Sequence, residues 1–170
     1  MDLGTVPTVD GLWRFENLVP SGTSVAYEAW ALDFLNWTSR TIPAVIHYGV
    51  SWNGSIFAAV GGVSVATTSP DGITWTTRTI PAGTYYSVSW NGSVFAAVGA
   101  SVAATSPDGI AWTSRTIPAG TYTGVSWNGA VFAAVGISVA ATSPDGITWT
   151  SRTIPAGSYY AVSWNGSVFA

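Results

Sequence analysis

Short runs in which apolar and polar residues alternate fill most of the chain, and turn-forming residues separate them. One stretch shows this clearly and predicts four strands, at Tyr85–Trp90 and at residues 94–99, 101–105 and 110–117. Val, Ile, Thr, Tyr and Trp dominate these runs, which is typical of strands, and no run is long enough to predict a substantial helix. The pattern therefore predicts an all-β chain of antiparallel strands.

Turn signals connect these strands. Asn91-Gly92 predicts a type I′ hairpin turn, which needs positive φ at both central residues. Pro107-Asp108-Gly109 predicts a second turn, because proline presets φ, aspartate caps backbone N–H groups and glycine accepts positive φ. Pro118-Ala119-Gly120 links the fourth strand to the next segment. In the first such link Val45 replaces the glycine, so we expect that link to take another shape.

The four strands belong to a unit of 37 residues that repeats in tandem. Two sets of tryptophans mark it, with spacings of 38, 37 and 37 residues: Trp37, Trp75, Trp112 and Trp149, and Trp52, Trp90, Trp127 and Trp164. Copies cover residues 51–88, 89–125 and 126–162, the first with one extra residue at Gly61-Gly62. Four antiparallel strands per repeat are typical of a β-propeller blade, and a solenoid is the second choice.

Both ends of the repeat region offer part of a blade. Residues 23–26 match a third strand and residues 36–43 a fourth, whereas the last residues match the first and second strands. We expect one composite blade beside three complete ones, a Velcro-type closure that removes open sheet edges. One chain would then form four blades; the alternative is an eight-bladed ring from two chains that exchange ends. The predicted division is a non-repetitive segment at 1–22 and propeller repeats at 23–170.

Composition excludes several classes of protein. The 170 residues include no Cys, so neither a disulfide framework nor a thiolate zinc site is available. Lys is absent and the formal net charge is −3, which leaves no basic surface for nucleic acid. No apolar run approaches the roughly 18 residues of a membrane helix, and the first residues lack the pattern of a signal peptide. We predict no cofactor, and localisation stays open.

The segment Ser69-Pro70-Asp71-Gly72-Ile73-Thr74-Trp75 recurs with small changes at residues 106–112 and 143–149. It resembles the Asp-box repeat of sialidase-type (BNR) β-propellers, with a loop one residue shorter, and the resemblance covers roughly residues 36–170. It implies a structural role, in which Asp accepts backbone hydrogen bonds and Trp packs beneath the loop. The residues concerned are Ser69, Asp71, Gly72, Trp75, Ser106, Asp108, Gly109, Trp112, Ser143, Asp145, Gly146 and Trp149.

A metal site in these loops is not expected. Calcium takes about six to eight oxygen ligands, and each loop offers a single carboxylate. We therefore predict that no metal is bound.

A hydrolase is the least favoured function. The resemblance implies an arginine triad drawn from non-equivalent blades, whereas the repeat arginines of this chain share one equivalent position. They are Arg40, Arg78, Arg115 and Arg152. Glu16 and Glu28 lie outside the complete repeats, and their spacing does not indicate the carboxylate pair of a glycoside hydrolase. We predict that the protein is not an enzyme.

We predict a symmetric scaffold or interaction module, either of phage or bacterial surface origin or a recently amplified or designed repeat protein. The alternative is a multivalent lectin that binds glycans, because several weak sites give avidity. Its candidate ligand-binding residues are Trp52, Asn53, Trp90, Asn91, Trp127, Asn128, Trp164 and Asn165. Packing between blades is the favoured use of these tryptophans. The partner would be a glycan or another protein, and the chain a monomer or a homo-oligomer that exchanges terminal strands.

Overall fold

The computed structural model describes the backbone of residues 14–18 and 24–28 and the whole of residues 38–170. The chain divides into two compact units, residues 1–39 and residues 40–170. The first unit contains two antiparallel strands, β1 (Arg14–Leu18) and β2 (Ser24–Glu28). A strand is thus present where residues 23–26 predict one, and it pairs with β1. Its predicted place in a composite blade stays a prediction.

The second unit contains three antiparallel sheets of four strands, each in sequential order. Blade 1 consists of β3 (His47–Trp52), β4 (Phe57–Gly61), β5 (Val65–Ser69) and β6 (Thr76–Thr79). Blade 2 consists of β7 (Tyr85–Trp90), β8 (Phe95–Gly99), β9 (Ala103–Ser106) and β10 (Thr113–Arg115). Blade 3 consists of β11 (Tyr122–Trp127), β12 (Phe132–Gly136), β13 (Ala140–Ser143) and β14 (Thr150–Arg152). The predicted all-β fold with three complete blades is confirmed.

The apolar core of this unit forms two clusters, and each fills the space between two blades. We call the face that a blade turns toward the preceding blade its leading face, and the opposite face its trailing face. The first cluster holds Ala58, Val60, Ala66 and Ile80 from blade 1 and Tyr85, Val88, Phe95, Ala97 and Ala104 from blade 2. The second holds Ala96, Val98, Ala103 and Ile117 from blade 2 and Tyr122, Val125, Phe132, Ala134, Ala141 and Trp149 from blade 3.

The first strands of neighbouring blades approach each other closely. A methyl group built on Gly49 of β3 would lie 2.9 Å from the Cα of Ser87 in β7. A methyl group on Gly124 of β11 would lie equally close to the Cα of Ala161, beyond β14. Such contacts leave no room for a side chain, so small residues at this position set the distance between blades.

The turn between β7 and β8 differs from the predicted type I′. Gly92 has a φ of 97°, whereas Asn91 is not among the residues with positive φ. The N–H of Asn91 donates to the carbonyl of Val94 at 3.2 Å, so the two central residues are Gly92 and Ser93. Type I′ needs positive φ at both central residues, and only Gly92 has it; the Val94 N–H donates to the Asn91 side chain at 2.8 Å. The prediction of type I′ was wrong because it placed Asn91 inside the turn rather than beside it.

The links between blades confirm the expected difference at Val45. Gly83, at the equivalent place, has a φ of 152°, and its carbonyl accepts a hydrogen bond from the Ser64 N–H at 2.9 Å. Val45 is not among the residues with positive φ, and its N–H donates to the carbonyl of Pro43 at 2.7 Å. The first link therefore closes a tighter turn, which a β-branched residue tolerates.

The extra residue of the first repeat is Val63, one position after the predicted Gly61-Gly62. Gly62 and Ser64 make the same backbone hydrogen bonds as Ala100 and Ser101 of blade 2, so Val63 is the insertion between them. Its φ is 57° and its side chain is 84% exposed. A β-branched residue with positive φ is strained, and the exposed side chain gains little packing in return.

Residues 158–170 continue the repeat beyond blade 3. An isolated bridge joins Ile137 to Ser158 and another joins Trp164 to Phe169. Ser163 and Ala170 exchange two backbone hydrogen bonds of 2.9 and 3.0 Å. We call these residues the C-terminal hairpin; they have the sequence of the first strand of a blade and of the first two residues of its second strand.

We expect Val63→Asn to stabilise the protein by about 1 kcal/mol, because asparagine tolerates positive φ far better than valine does. Urea unfolding at constant pH measures the change. Ile73→Asn is the matched control, since Ile73 is also exposed but does not have positive φ. An equal gain in both variants would mean that removal of exposed apolar surface, and not backbone strain, is the cause.

Candidate functional site

The two turns that carry the repeated motifs lie at one end of every blade. Strands one and two are joined by the Asn-Gly turn, and strands three and four by the Ser-Pro-Asp-Gly turn, which we call the box turn. In an antiparallel sheet of sequential strands these two connections fall on the same side. We call this side the box end. The links between blades fall on the other side.

One oxygen of the box carboxylate is engaged with its own loop. Oδ1 of Asp71 accepts hydrogen bonds from the N–H groups of Ile73 and Thr74, at 2.8 and 2.9 Å, and from the Ser69 hydroxyl at 3.0 Å. Asp108 and Asp145 repeat all three bonds. Each of these carboxylates therefore holds its own loop through three hydrogen bonds, and the family resemblance stays a prediction.

The serine and tryptophan of the box hold the rest of the loop. Ser69 Oγ accepts a hydrogen bond from the Gly72 N–H at 2.9 Å, and the Trp75 indole N–H donates to the Gly72 carbonyl at 3.1 Å. In the second box a methyl group on Gly109 would lie 3.2 Å from both Ala58 and Thr68 of the preceding blade. The box loop therefore also packs against the neighbouring blade.

These hydrogen bonds lower the pKa of all three box carboxyls. For Asp71 the N–H of Thr74 contributes most, followed by Ile73 and the Ser69 hydroxyl. For Asp145 the N–H of Thr148 contributes most. For Asp108 desolvation is the largest single influence and acts upward, but the bonds from Ala111, Ile110 and Ser106 together lower the pKa. The charged form is thus the one that the loop binds.

The arginines of the three complete blades bind within their own sheets. Nε of Arg78 donates to the Thr68 hydroxyl at 2.9 Å. Arg115 and Arg152 make the same bond to Thr105 and Thr142, both at 2.8 Å. Each arginine therefore spans strands three and four of one blade, and its position is fixed by the sheet.

The asparagine amides of the predicted lectin site serve their turns. Oδ1 of Asn91 accepts hydrogen bonds from the N–H groups of Ser93 and Val94, at 2.9 and 2.8 Å. The same pair of bonds is made by Asn53, Asn128 and Asn165. One side of each amide is consequently occupied by the backbone.

The tryptophans of the predicted lectin site pack beside phenylalanines. Ring centroids are 4.4 to 5.0 Å apart in four pairs: Trp52–Phe57, Trp90–Phe95, Trp127–Phe132 and Trp164–Phe169. In the complete blades the phenylalanine also lies near the box tryptophan, which links both turns into one aromatic cluster. Trp52 is 43% exposed, whereas Trp90, Trp127 and Trp164 are partly buried.

One repeated exposed side chain of the box end was missed by the sequence analysis. Ile73, Ile110 and Ile147 stand just after the box glycine and are 48%, 45% and 45% exposed. Their backbone N–H groups donate to the box carboxylate, so each exposed side chain is attached to a loop that is held in place. The repeat itself was the available signal, because an isoleucine recurs directly after the box glycine in every copy.

Blade 1 has an open cavity of about 280 Å³ on its leading face. It is lined by Ile42, His47, Tyr48, Gly49, Val50, Ala59 and Trp75. His47 takes the place of Tyr85 and Tyr122, and its Nε2 lies 3.0 Å from the hydroxyl of Thr67. Burial lowers the pKa of His47, against a smaller upward effect of its hydrogen bond with Val45.

No metal-binding group of three or more His, Asp or Glu occurs within residues 14–18, 24–28 and 38–170. Across those same ranges there is no helix long and apolar enough to cross a membrane.

Solved structures with similar folds are β-propellers. The computationally designed Ika4 protein matches with a TM-score of 0.59 and 4% identity, over 77% of this chain and 87% of that chain. Virginiamycin B lyase from Staphylococcus aureus matches with a TM-score of 0.59 and 14% identity, over 93% of this chain and 58% of its own. YCF48 bound to D1 peptide matches with a TM-score of 0.53 and 15% identity, over 74% of this chain and 45% of its own.

The chain spans about half the length of the lyase and of YCF48. No family model matches the sequence, and a search of curated proteins gives no match. At such low identities the likeness establishes the fold and leaves function open. The chain has a β-propeller fold.

We expect the free energy of unfolding to fall as the pH drops below the ordinary Asp pKa near 3.8. The folded carboxyls have lower pKa values, so the unfolded chain binds more protons in that window and acid favours it. Asn at positions 71, 108 and 145 keeps the acceptor oxygen but cannot be protonated, so the triple variant should show a flatter dependence. Urea midpoints from pH 5 to pH 2 measure it. Because the boxes are equivalent, each single variant should remove a similar share; an unchanged slope in the triple variant would contradict this role.

Proposed function

We propose that this protein is a non-enzymatic β-propeller scaffold that presents its repeated Asp-box loops to a protein partner. The single observation that carries the proposal is the array of identical loops at the box end. Each displays an almost half-exposed isoleucine, Ile73, Ile110 or Ile147, on a loop held by the same hydrogen bonds.

The fixed loops suit repeated, weak contacts. Rigid presentation reduces the entropy lost on binding, and several equivalent contacts on one body give avidity without any strong single site. A partner with repeated or extended apolar features would engage neighbouring blades together. YCF48, a structural neighbour, is a propeller bound to a peptide, which supports the proposal by analogy of fold only.

The engaged state of the polar side chains supports a non-enzymatic role. In the complete blades the box carboxylates and the arginines already have partners inside their own loops and sheets. Burial raises the pKa of Tyr85 to about 12 and also raises that of Tyr122, so neither phenol is disposed to lose its proton near neutral pH. General acid–base catalysis needs groups that are free to exchange protons.

Carbohydrate binding is the second candidate, and Trp52 is the observation that favours it. Its indole is 43% exposed beside Asn53, and an aromatic face next to an amide suits a sugar ring. The equivalent tryptophans are covered more fully, which favours one such site over four equal ones.

Selection from a random peptide library displayed on phage, with the 170-residue chain as bait, tests the main proposal. We expect enrichment of apolar peptides whose binding weakens by about tenfold or more in the triple variant Ile73→Ser, Ile110→Ser, Ile147→Ser. The matched control is Val63→Ser with Ile137→Ser, which removes exposed apolar side chains at the opposite end of the blades. Melting temperatures verify that both variants fold.

Three results would overturn the scaffold proposal: no enrichment, equal losses in the box variant and the control, or hydrolysis of a panel of fluorogenic glycosides. A glycan array decides the second candidate. Binding that Trp52→Ala abolishes would establish a lectin, and binding that persists would remove Trp52 from the site.

A further inference from the structure

An arginine lies beside a box loop at each of the two boundaries between complete blades. We infer that these places bind carboxylates, and that each takes an Asp or Glu side chain of a peptide whose neighbouring apolar residue contacts the box isoleucine. The inference rests on the proposed function, because it names the kind of peptide that the box end binds.

The boundary between blades 2 and 3 shows the arrangement. Nε of Arg115, in blade 2, donates to the Thr105 hydroxyl at 2.8 Å, and Thr105 is only 3% exposed. A methyl group built on Gly146, in the box loop of blade 3, would lie 3.0 Å from the methyl group of the same threonine. Ile147 follows Gly146 directly. One buried threonine thus holds the guanidinium and touches the next box loop, and we call these four residues a notch.

The boundary between blades 1 and 2 carries the same notch. Nε of Arg78 donates to the Thr68 hydroxyl at 2.9 Å, and a methyl group on Gly109 would lie 3.2 Å from the methyl group of that threonine. Ile110 is the next residue of the loop. Because the four positions meet in the same way twice, the notch follows from the packing of one blade on the next.

The guanidinium of each notch has nitrogens to spare. Within residues 14–18, 24–28 and 38–170, the terminal nitrogens of Arg78 and Arg115 make no hydrogen bond and no ion pair, and only Nε is bonded. Both arginines are only partly buried, so a ligand can reach them. A guanidinium binds the two oxygens of a carboxylate through a pair of parallel N–H bonds, and an Arg–carboxylate pair is stronger than a neutral hydrogen bond.

The box carboxylate of the neighbouring loop does not take this place. Oδ1 of Asp145 accepts the N–H groups of Ile147 and Thr148, at 2.8 and 3.0 Å, and the Ser143 hydroxyl at 3.0 Å. In the part of the chain that the structure describes, no ion pair joins Asp145 to Arg115. The positive charge of the notch is therefore left for a ligand.

The apolar side chain beside the guanidinium decides the kind of ligand. Ile110 and Ile147 are both 45% exposed, and each follows the glycine that touches the notch threonine. A free carboxylate such as acetate would use only the arginine, whereas a peptide with an acidic residue beside an apolar one would use both side chains. Two notches on successive boundaries would hold two such pairs of one peptide, and two weak contacts on one body give avidity.

The peptide selection also tests this inference, once the enriched peptides are sequenced and synthesised. We expect Asp or Glu next to an apolar residue in these peptides. Arg78→Gln combined with Arg115→Gln should weaken their binding by about tenfold or more, because a hydrogen bond between charged groups is lost at each notch. Arg152→Gln is the matched control and should leave binding unchanged. Arg152 makes the same bond to Thr142, but no box glycine lies against that threonine within the described residues.

A double-mutant cycle separates direct contact from a structural role of the arginines. The acidic residue of an enriched peptide is changed to the corresponding amide, and calorimetry measures the binding of both peptides to the unaltered chain and to the double arginine variant. Contact predicts that the two changes together cost little more affinity than either change alone. Additive losses would mean that the arginines act only through the fold, and would overturn the inference.

Melting temperatures verify that the variants fold. If the double glutamine variant does not, Arg78→Lys with Arg115→Lys takes its place, which keeps the charge but loses the paired N–H geometry and should still weaken binding. Enriched peptides without acidic residues, or equal losses in the Arg152→Gln control, would overturn the inference. If binding depends on the box isoleucines but not on the arginines, the proposed function stands and this inference fails. No enrichment at all would overturn both.

Discussion

The structure depends on the packing of one sheet against the next. Each middle strand is short and rich in alanine, and the five residues of Phe95–Gly99 are all buried because a blade covers each side. A single such sheet has no core of its own; the two apolar clusters exist only between blades. Burial of apolar area is the main driving force of folding, so a blade becomes stable only with neighbours.

This dependence explains why the box loop is rigid. The loop positions a glycine against the preceding blade at Gly109, and Trp149 is buried in the cluster between blades 2 and 3. A loop that must fit a neighbour has to be rigid, and the carboxylate provides that rigidity through its bonds to two backbone N–H groups and a serine. One oxygen of the charged carboxylate thus holds the turn.

The strands and the repeat could be predicted because local pattern decides them. Tyr85–Trp90 is a strand with the predicted bounds, whereas the fourth strand begins only at Thr113, since the box loop extends through Trp112. The predicted turn type at Asn91 was wrong because an Asn-Gly pair can either occupy the two central positions or place only the glycine there. The backbone hydrogen bonds decide between the two, and the sequence does not give them. The aromatic pairs at the box end depend on register between strands, which spacing alone does not give.

The sequence of a single repeat does not show how exposed its residues are in the folded chain. Val50 and Val88 stand in nearly the same local sequence, yet one is exposed and the other buried, because exposure follows from position in the row of blades. The pair His47 and Thr67 is an exception that the sequence does carry. In blades 2 and 3 these positions hold tyrosine and alanine, and both change together only in the blade whose leading face is open. In a chain of near-identical copies, two contacting positions that change together, as His47 and Thr67 do, distinguish one blade from the others.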